Sequence, residues 1–154
     1  MPIYTMLHRM GNIDIIGNRL QREFSDTLQK RLPPGWKVTA KPIPMGMKPM
    51  PDFLFELAGP KGARTRLAVE IKAHLEPKDA LILRDLCDQY AATYGDGVVP
   101  VVSSSFVSPS TRQRFKELAI SYADPTGNVR VVASQPALYI ETQGAEKNPN
   151  KENR

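Results

Sequence analysis

Two short runs in which apolar and polar residues nearly alternate, FLFELA (53–58) and RTRLAVEIKA (64–73), stand on either side of Gly59-Pro60-Lys61-Gly62. Strand side chains alternate between faces, and a link of this length carrying glycine and proline closes a hairpin. With the turn centred on Lys61, Phe53 faces Val69, Phe55 faces Leu67, and Asp52 faces Glu70. Phe53, Phe55, Leu57, Leu67, Val69 and Ile71 then share one face, which reads as core. Asp52, Leu54, Glu56, Arg66, Ala68, Glu70 and Lys72 share the other, which reads as the face that carries chemistry.

The elements around the hairpin set the fold class. Ile16, Leu20, Phe24 and Leu28 recur at a spacing of four and predict a helix over about 14–32, stopped by Pro33-Pro34-Gly35. A short strand in WKVTA and a proline-rich extended approach then deliver the chain to Asp52. Pro77 suits the first position of a helix reaching Tyr94, with Leu83, Leu86, Cys87, Tyr90 and Tyr94 on its apolar face. VVPVVSSS reads as a strand, and Ser108-Pro109 as the cap and first residue of a helix to about Leu118. ISYAD, NVRVVA and ALYIET read as strands. This order predicts an α/β fold in which a central mixed β-sheet is flanked by α-helices. Residues 1–142 form the expected domain, and 143–154, polar and without periodicity, read as a flexible tail or linker.

Two carboxylates across a ladder have Cβ atoms about 4.5–5.5 Å apart, and like charges at that range repel unless a cation lies between them. Asp52 and Glu70 therefore suit a divalent cation. Magnesium, for which manganese can substitute, takes oxygen ligands and is commonly held by one or two carboxylates, several waters and a substrate phosphate. Lys72, two residues on along the same face, is placed to orient an attacking water or to neutralise charge on a phosphoryl group.

Pro51-Asp52, followed after eighteen residues by Glu70-Ile71-Lys72 across a hairpin, resembles the motif of the PD-(D/E)xK nucleases. The resemblance implies a restriction-endonuclease-like core and a divalent-metal-dependent DNA endonuclease that hydrolyses phosphodiester bonds. It assigns Asp52, Glu70 and Lys72 as catalytic, with Asp52 and Glu70 on the metal. It also implies a glutamate on the preceding helix that reaches the metal, and Glu23 is the candidate. One departure concerns the RecB-type subgroup, which has a glutamine and a tyrosine four apart on the next helix. Here Gln89 is followed four residues later by Thr93.

A formal net charge of +5 favours a polyanionic partner such as DNA. Lys41, Lys48, Arg64 and Arg66 flank the expected site, and Arg112 lies on the helix begun by Ser108; Lys48, Arg64, Arg66 and Arg112 are the expected phosphate contacts. A single cysteine, Cys87, excludes an intrachain disulfide and a thiolate zinc cluster, which fits a reducing cytoplasm. No apolar run suits a signal peptide or a membrane span, so no membrane partner is expected. The resemblance also implies a homodimer, whose two active sites would address two strands, or a separate DNA-binding domain or subunit as partner. The alternative reading is a catalytically silent nuclease-fold module that binds DNA or regulates.

Overall fold

The computed structural model describes residues 12–46, 48–95 and 97–150, with side chains from Gly17 onward. Its elements in chain order are α1 (Asn12–Gln29), β1 (Lys37–Lys41), β2 (Phe53–Ala58), β3 (Arg64–Ile71), α2 (Ala80–Tyr94), β4 (Val98–Ser103), α3 (Pro109–Glu117), β5 (Ser121–Ala123), β6 (Val129–Ser134) and β7 (Ala137–Thr142). The strands form one seven-stranded sheet in sequential order. β3, β4 and β5 run parallel, and every other pair is antiparallel. The architecture is the expected one, a central mixed sheet flanked by helices.

The hairpin adopts the register that its alternation dictates, with Phe53 opposite Val69 and Phe55 opposite Leu67. Its turn is a single 3-10 turn over Pro60–Gly62, in which Lys61 (φ 59°) and Gly62 (φ 75°) both adopt left-handed backbone. Glycine accepts that region freely, which is why a glycine follows the turn centre. The face carrying Phe53, Phe55, Leu57, Leu67 and Val69 is buried under Phe24 and Leu28 of α1. Phe24 stacks on Phe55 with ring centroids 4.9 Å apart. α1 ends at Gln29, three residues before the expected stop, and the chain turns through 30–32. Ile16, the first member of the expected apolar series, lies outside the described side chains.

The opposite face is not open, which corrects the division into a core face and a chemical face. Leu54 and Ala68 are buried on it, and Tyr90 and Tyr94 of α2 pack with Ala68. The reason is topological: β3 and β4 are parallel, so the chain needs a crossover, and that crossover is the helix α2. α3 makes the second crossover, from β4 to β5, and with α2 covers Val102 and Tyr122.

Local chemistry starts and stops these helices. A turn at Pro77–Asp79 precedes α2, and the Glu76 N–H donates to Asp79 Oδ2 at 2.8 Å. Gly95, with φ 92°, ends α2. At α3, Ser108 Oγ accepts from the Thr111 N–H at 3.3 Å, and Pro109 takes the first position.

The expected flexible tail is tied down where it begins. Gly144 N–H donates to Asn128 Oδ1 at 2.7 Å, Ala145 N–H donates to Thr126 Oγ1 at 3.0 Å, and Glu146 pairs with Arg112 at 3.5 Å. The turn at 124–128 offers these partners, so a polar segment is ordered by hydrogen bonds rather than by apolar burial. Among the described residues, no helix is long and apolar enough to cross a membrane.

Candidate active site

Parallel strands direct their carboxyl ends to one edge of a sheet, and an α/β fold leaves its crevice there. A cavity of about 470 Å³ occupies this position. Its walls come from the ends of β3 (Ile71, Lys72, Ala73), β4 (Ser103, Ser104, Ser105) and β5 (Ala123, Asp124, Pro125), closed by Leu20, Glu23, Phe24 and Thr27 of α1. Asp52 enters from the start of the antiparallel β2, so the hairpin brings its far end to the same edge.

Asp52 lies just before the ladder, whose first pair is Phe53 with Val69; its N–H donates to the same Val69 carbonyl at 2.9 Å, so the expected direct pairing with Glu70 is not part of the register. Its Oδ2 accepts the Ile71 N–H at 2.8 Å. Burial pushes its pKa up from 3.8 to about 6; the Ile71 hydrogen bond opposes the rise, the charge of Glu70 adds to it, and Lys72 offsets part of it.

Glu70 is only 6% exposed. Oε1 accepts the Tyr90 hydroxyl proton at 2.6 Å, and Oε2 lies 3.5 Å from Lys72 Nζ. Both oxygens thus have partners, as a buried carboxylate requires. Glu70 does not line the cavity; it sits on the α2 side of the sheet, with Lys72 between it and the opening. The Lys72 side chain is 43% exposed, and its N–H donates to the Ser103 carbonyl at 2.8 Å, continuing the ladder into β4.

Glu23 is exposed on α1 and lines the same cavity as Asp52 and Lys72. Among the described residues, however, no three His, Cys, Asp or Glu side chains are grouped to hold a metal ion, so Asp52, Glu70 and Glu23 do not form one preassembled cluster. The sheet lies between Glu70 and α1, which accounts for the separation.

The expected phosphate contacts fare differently from one another. Arg112 is 9% exposed, donates to the Val107 carbonyl at 2.7 Å and pairs with Glu146, so it is a structural residue rather than a surface contact. Arg66 donates to the Tyr94 carbonyl at 2.6 Å and satisfies the carboxyl end of α2. Arg64 pairs with Glu56 at 2.7 Å. It lies six residues from Glu70 along β3, roughly 20 Å at about 3.3 Å per residue. The expectation that Arg64 and Arg66 flank the site is therefore corrected: they occupy the turn end of the hairpin. Lys48 is exposed, and its carbonyl accepts from Thr93 Oγ1 at 2.8 Å.

Two contributors escaped sequence reasoning. Tyr90 was visible only as part of an apolar helix face, yet a buried glutamate needs a donor, and a tyrosine on the covering helix is the residue type that supplies one. Ser103, Ser104 and Ser105 form a polar wall of the cavity; the signal was a serine run closing an apolar strand. Asp124 also reaches this wall, but its carboxylate is taken up by the N–H groups of Val107 and Thr126 and the side chain of Asn128.

No family model matches the sequence, and no curated protein matches it. Four solved chains match the structure. One is EndoMS in its apo form, at 12% identity and a TM-score of 0.41, aligned over 70% of this chain and 45% of that one. Another is a repair endonuclease from Pyrococcus abyssi, at 14% identity and a TM-score of 0.41, over 70% and 44% of the two chains. A third, an EndoMS–dsDNA2 complex, gives 12% identity and 0.41 over 68% and 44%. The chain spans less than half the length of each of these proteins.

Proposed function

We propose that this chain is a divalent-metal-dependent DNA endonuclease of the PD-(D/E)xK type. The observation that supports it best is that Asp52 and Lys72 line one cavity at the carboxyl edge of the parallel strands, with Lys72 Nζ 3.5 Å from the buried Glu70 carboxylate.

The donor chemistry suits magnesium or manganese. Asp52 uses Oδ2 for the Ile71 N–H and still presents Oδ1, and its raised pKa comes first from burial, with the charge of Glu70 adding to it. Asp52 and Glu70 are the residues that would hold the ion, and Glu23 lines the same cavity as Asp52. When bound, such an ion supplies a polarised water and stabilises charge on phosphoryl oxygens. Lys72 holds its ammonium at the opening, where it orients a water or neutralises the charge developing on phosphate. Tyr90 fixes the Glu70 carboxylate from behind, as outer hydrogen-bond partners do at metal sites.

A second reading uses the same geometry. Both Glu70 oxygens are engaged within the protein and Glu70 does not open into the cavity, an arrangement that suits a nuclease fold retained for binding or regulation without cutting. A second copy of the chain, or a separate DNA-binding domain or subunit, would then set the choice of site.

Cleavage of supercoiled, linear and branched DNA with magnesium or manganese, beside Asp52→Ala and Lys72→Ala, separates the two. Metal-dependent cutting that is lost in both variants supports the endonuclease. Salt-sensitive binding with no cutting by the wild-type chain supports the silent module.

A further inference from the structure

We infer that a basic groove along the outer side of α1 carries the nucleic-acid backbone to the cavity, in place of the arginines on the hairpin and on α3. Arg19, Arg22, Lys30 and Arg31 line a shallow groove of about 400 Å³, against two carboxylates, Glu23 and Asp26. The inference rests on the phosphodiester chemistry proposed at Asp52, and it names the surface that delivers the substrate.

Three observations carry it. The first is spacing: Arg19 and Arg22 stand three residues apart on one face of α1, with Asp26 four further on, and Lys30 follows in the turn just past the helix end. Arg19, Arg22 and Lys30 are exposed. The second is continuity, because Glu23, Thr27 and Pro125 line both this groove and the cavity that holds Asp52 and Lys72. A strand lying in the groove therefore meets the carboxylates without crossing another surface.

The third is preorganisation. Arg31 donates from Nη1 to the Thr27 carbonyl at 2.8 Å and lies over the turn at 124–128. Its Nη2 sits against Gly127. The hydrogen bond to Thr27 thus holds a cation at the junction between groove and turn.

The groove's shape and composition favour a nucleic acid over an anionic membrane. It is concave, and none of the exposed large apolar side chains (Met45, Leu81, Ile82, Val132, Tyr139) lines it. A helix that lies in a membrane surface carries an apolar face beside its basic one. A phosphate backbone requires only spaced cations.

The test is equilibrium binding of a fluorescent duplex and of a single strand across a salt series without divalent metal. The wild-type chain is compared with Arg19→Ala/Arg22→Ala/Lys30→Ala, and with Arg64→Ala as a control on the far end of the hairpin. Removing one cation from a phosphate lowers the slope of log K against log salt by about 0.9 on duplex DNA, so the triple variant should lose about 2–3 from the slope and bind at least about tenfold more weakly at 0.1 M salt. The control should match wild type. Wild-type binding with an unchanged slope in the triple variant would overturn the groove while leaving the chemistry at Asp52 standing. No salt-dependent binding by the wild-type chain to either nucleic acid would remove the nuclease reading itself, and the groove with it.

Discussion

The Tyr90 hydroxyl donates to Glu70 Oε1 at 2.6 Å, inside the interface between α2 and the sheet. Burial and this hydrogen bond both push the phenol's pKa above its usual value, so Tyr90 stays a donor throughout the neutral range. The covering helix thereby holds in place a carboxylate that belongs to the candidate site.

Tyr90→Phe keeps the ring and removes the donor, leaving a buried carboxylate oxygen without its partner. A loss of about 1–3 kcal/mol in stability is expected from such an orphaned acceptor, read by urea denaturation. Loss of an outer hydrogen-bond partner at a metal site costs about 10-fold or more in metal affinity, so cleavage should need correspondingly more magnesium. An unchanged denaturation midpoint together with an unchanged magnesium requirement would exclude Tyr90 from this role.

Asp52→Asn keeps an acceptor for the Ile71 N–H and removes the charge. In the folded chain the carboxyl titrates near 6, against an ordinary value of 3.8. The folded state therefore binds more protons between those values, and its stability falls as pH rises through that window and stays lower above it. Two pKa units correspond to at most about 3 kcal/mol; with screening at a partly exposed site, Asp52→Asn should gain roughly 1–2 kcal/mol at pH 7.5. The gain should shrink at pH 4.5, while cleavage is abolished. Equal stability changes at the two pH values would contradict the desolvated carboxylate.

Lys72→Ala removes an ammonium whose side chain is 43% exposed. Its fold should persist, because the ladder bond to Ser103 is made by the backbone. Turnover should fall by about 10²–10³-fold if the ammonium stabilises charge in the transition state. Lys72→Arg should recover only part of the rate, since a planar guanidinium does not reproduce a compact ammonium. Single-turnover cleavage measures both, and a full-rate Lys72→Ala protein would end the assignment.

Arg112→Ala tests a residue that charge alone marked for DNA. Its guanidinium holds the Val107 carbonyl and Glu146, so its removal should cost about 1.5–3 kcal/mol, as for hydrogen bonds from charged groups. DNA affinity at 25 °C should not change. Weakened binding with unchanged thermal stability would restore Arg112 to the interface.

The hairpin register was legible because strand side chains alternate and a five-residue link leaves few ways to pair 53–58 with 64–71. Pro77 opens the 3-10 turn that leads into α2 at Ala80, and Ser108 caps α3; both were legible for the same local reason, because proline and a capping serine act on the backbone beside them. From alternation alone, Asp52, Glu70 and Lys72 could be placed together at one end of that hairpin. What α2 covers was not local information. It follows from the parallel pairing of β3 with β4, which sets Tyr90 over Glu70 although 20 residues separate them. The fate of the arginines was equally remote: a guanidinium is read as free charge in a sequence, but Arg66 finds the end of α2 and Arg112 finds Val107 and Glu146 only once the chain has folded. Local backbone preference and side-chain period determined the elements and the motif; long-range pairing decided which charges are buried, which are spent, and which line the way to the cavity.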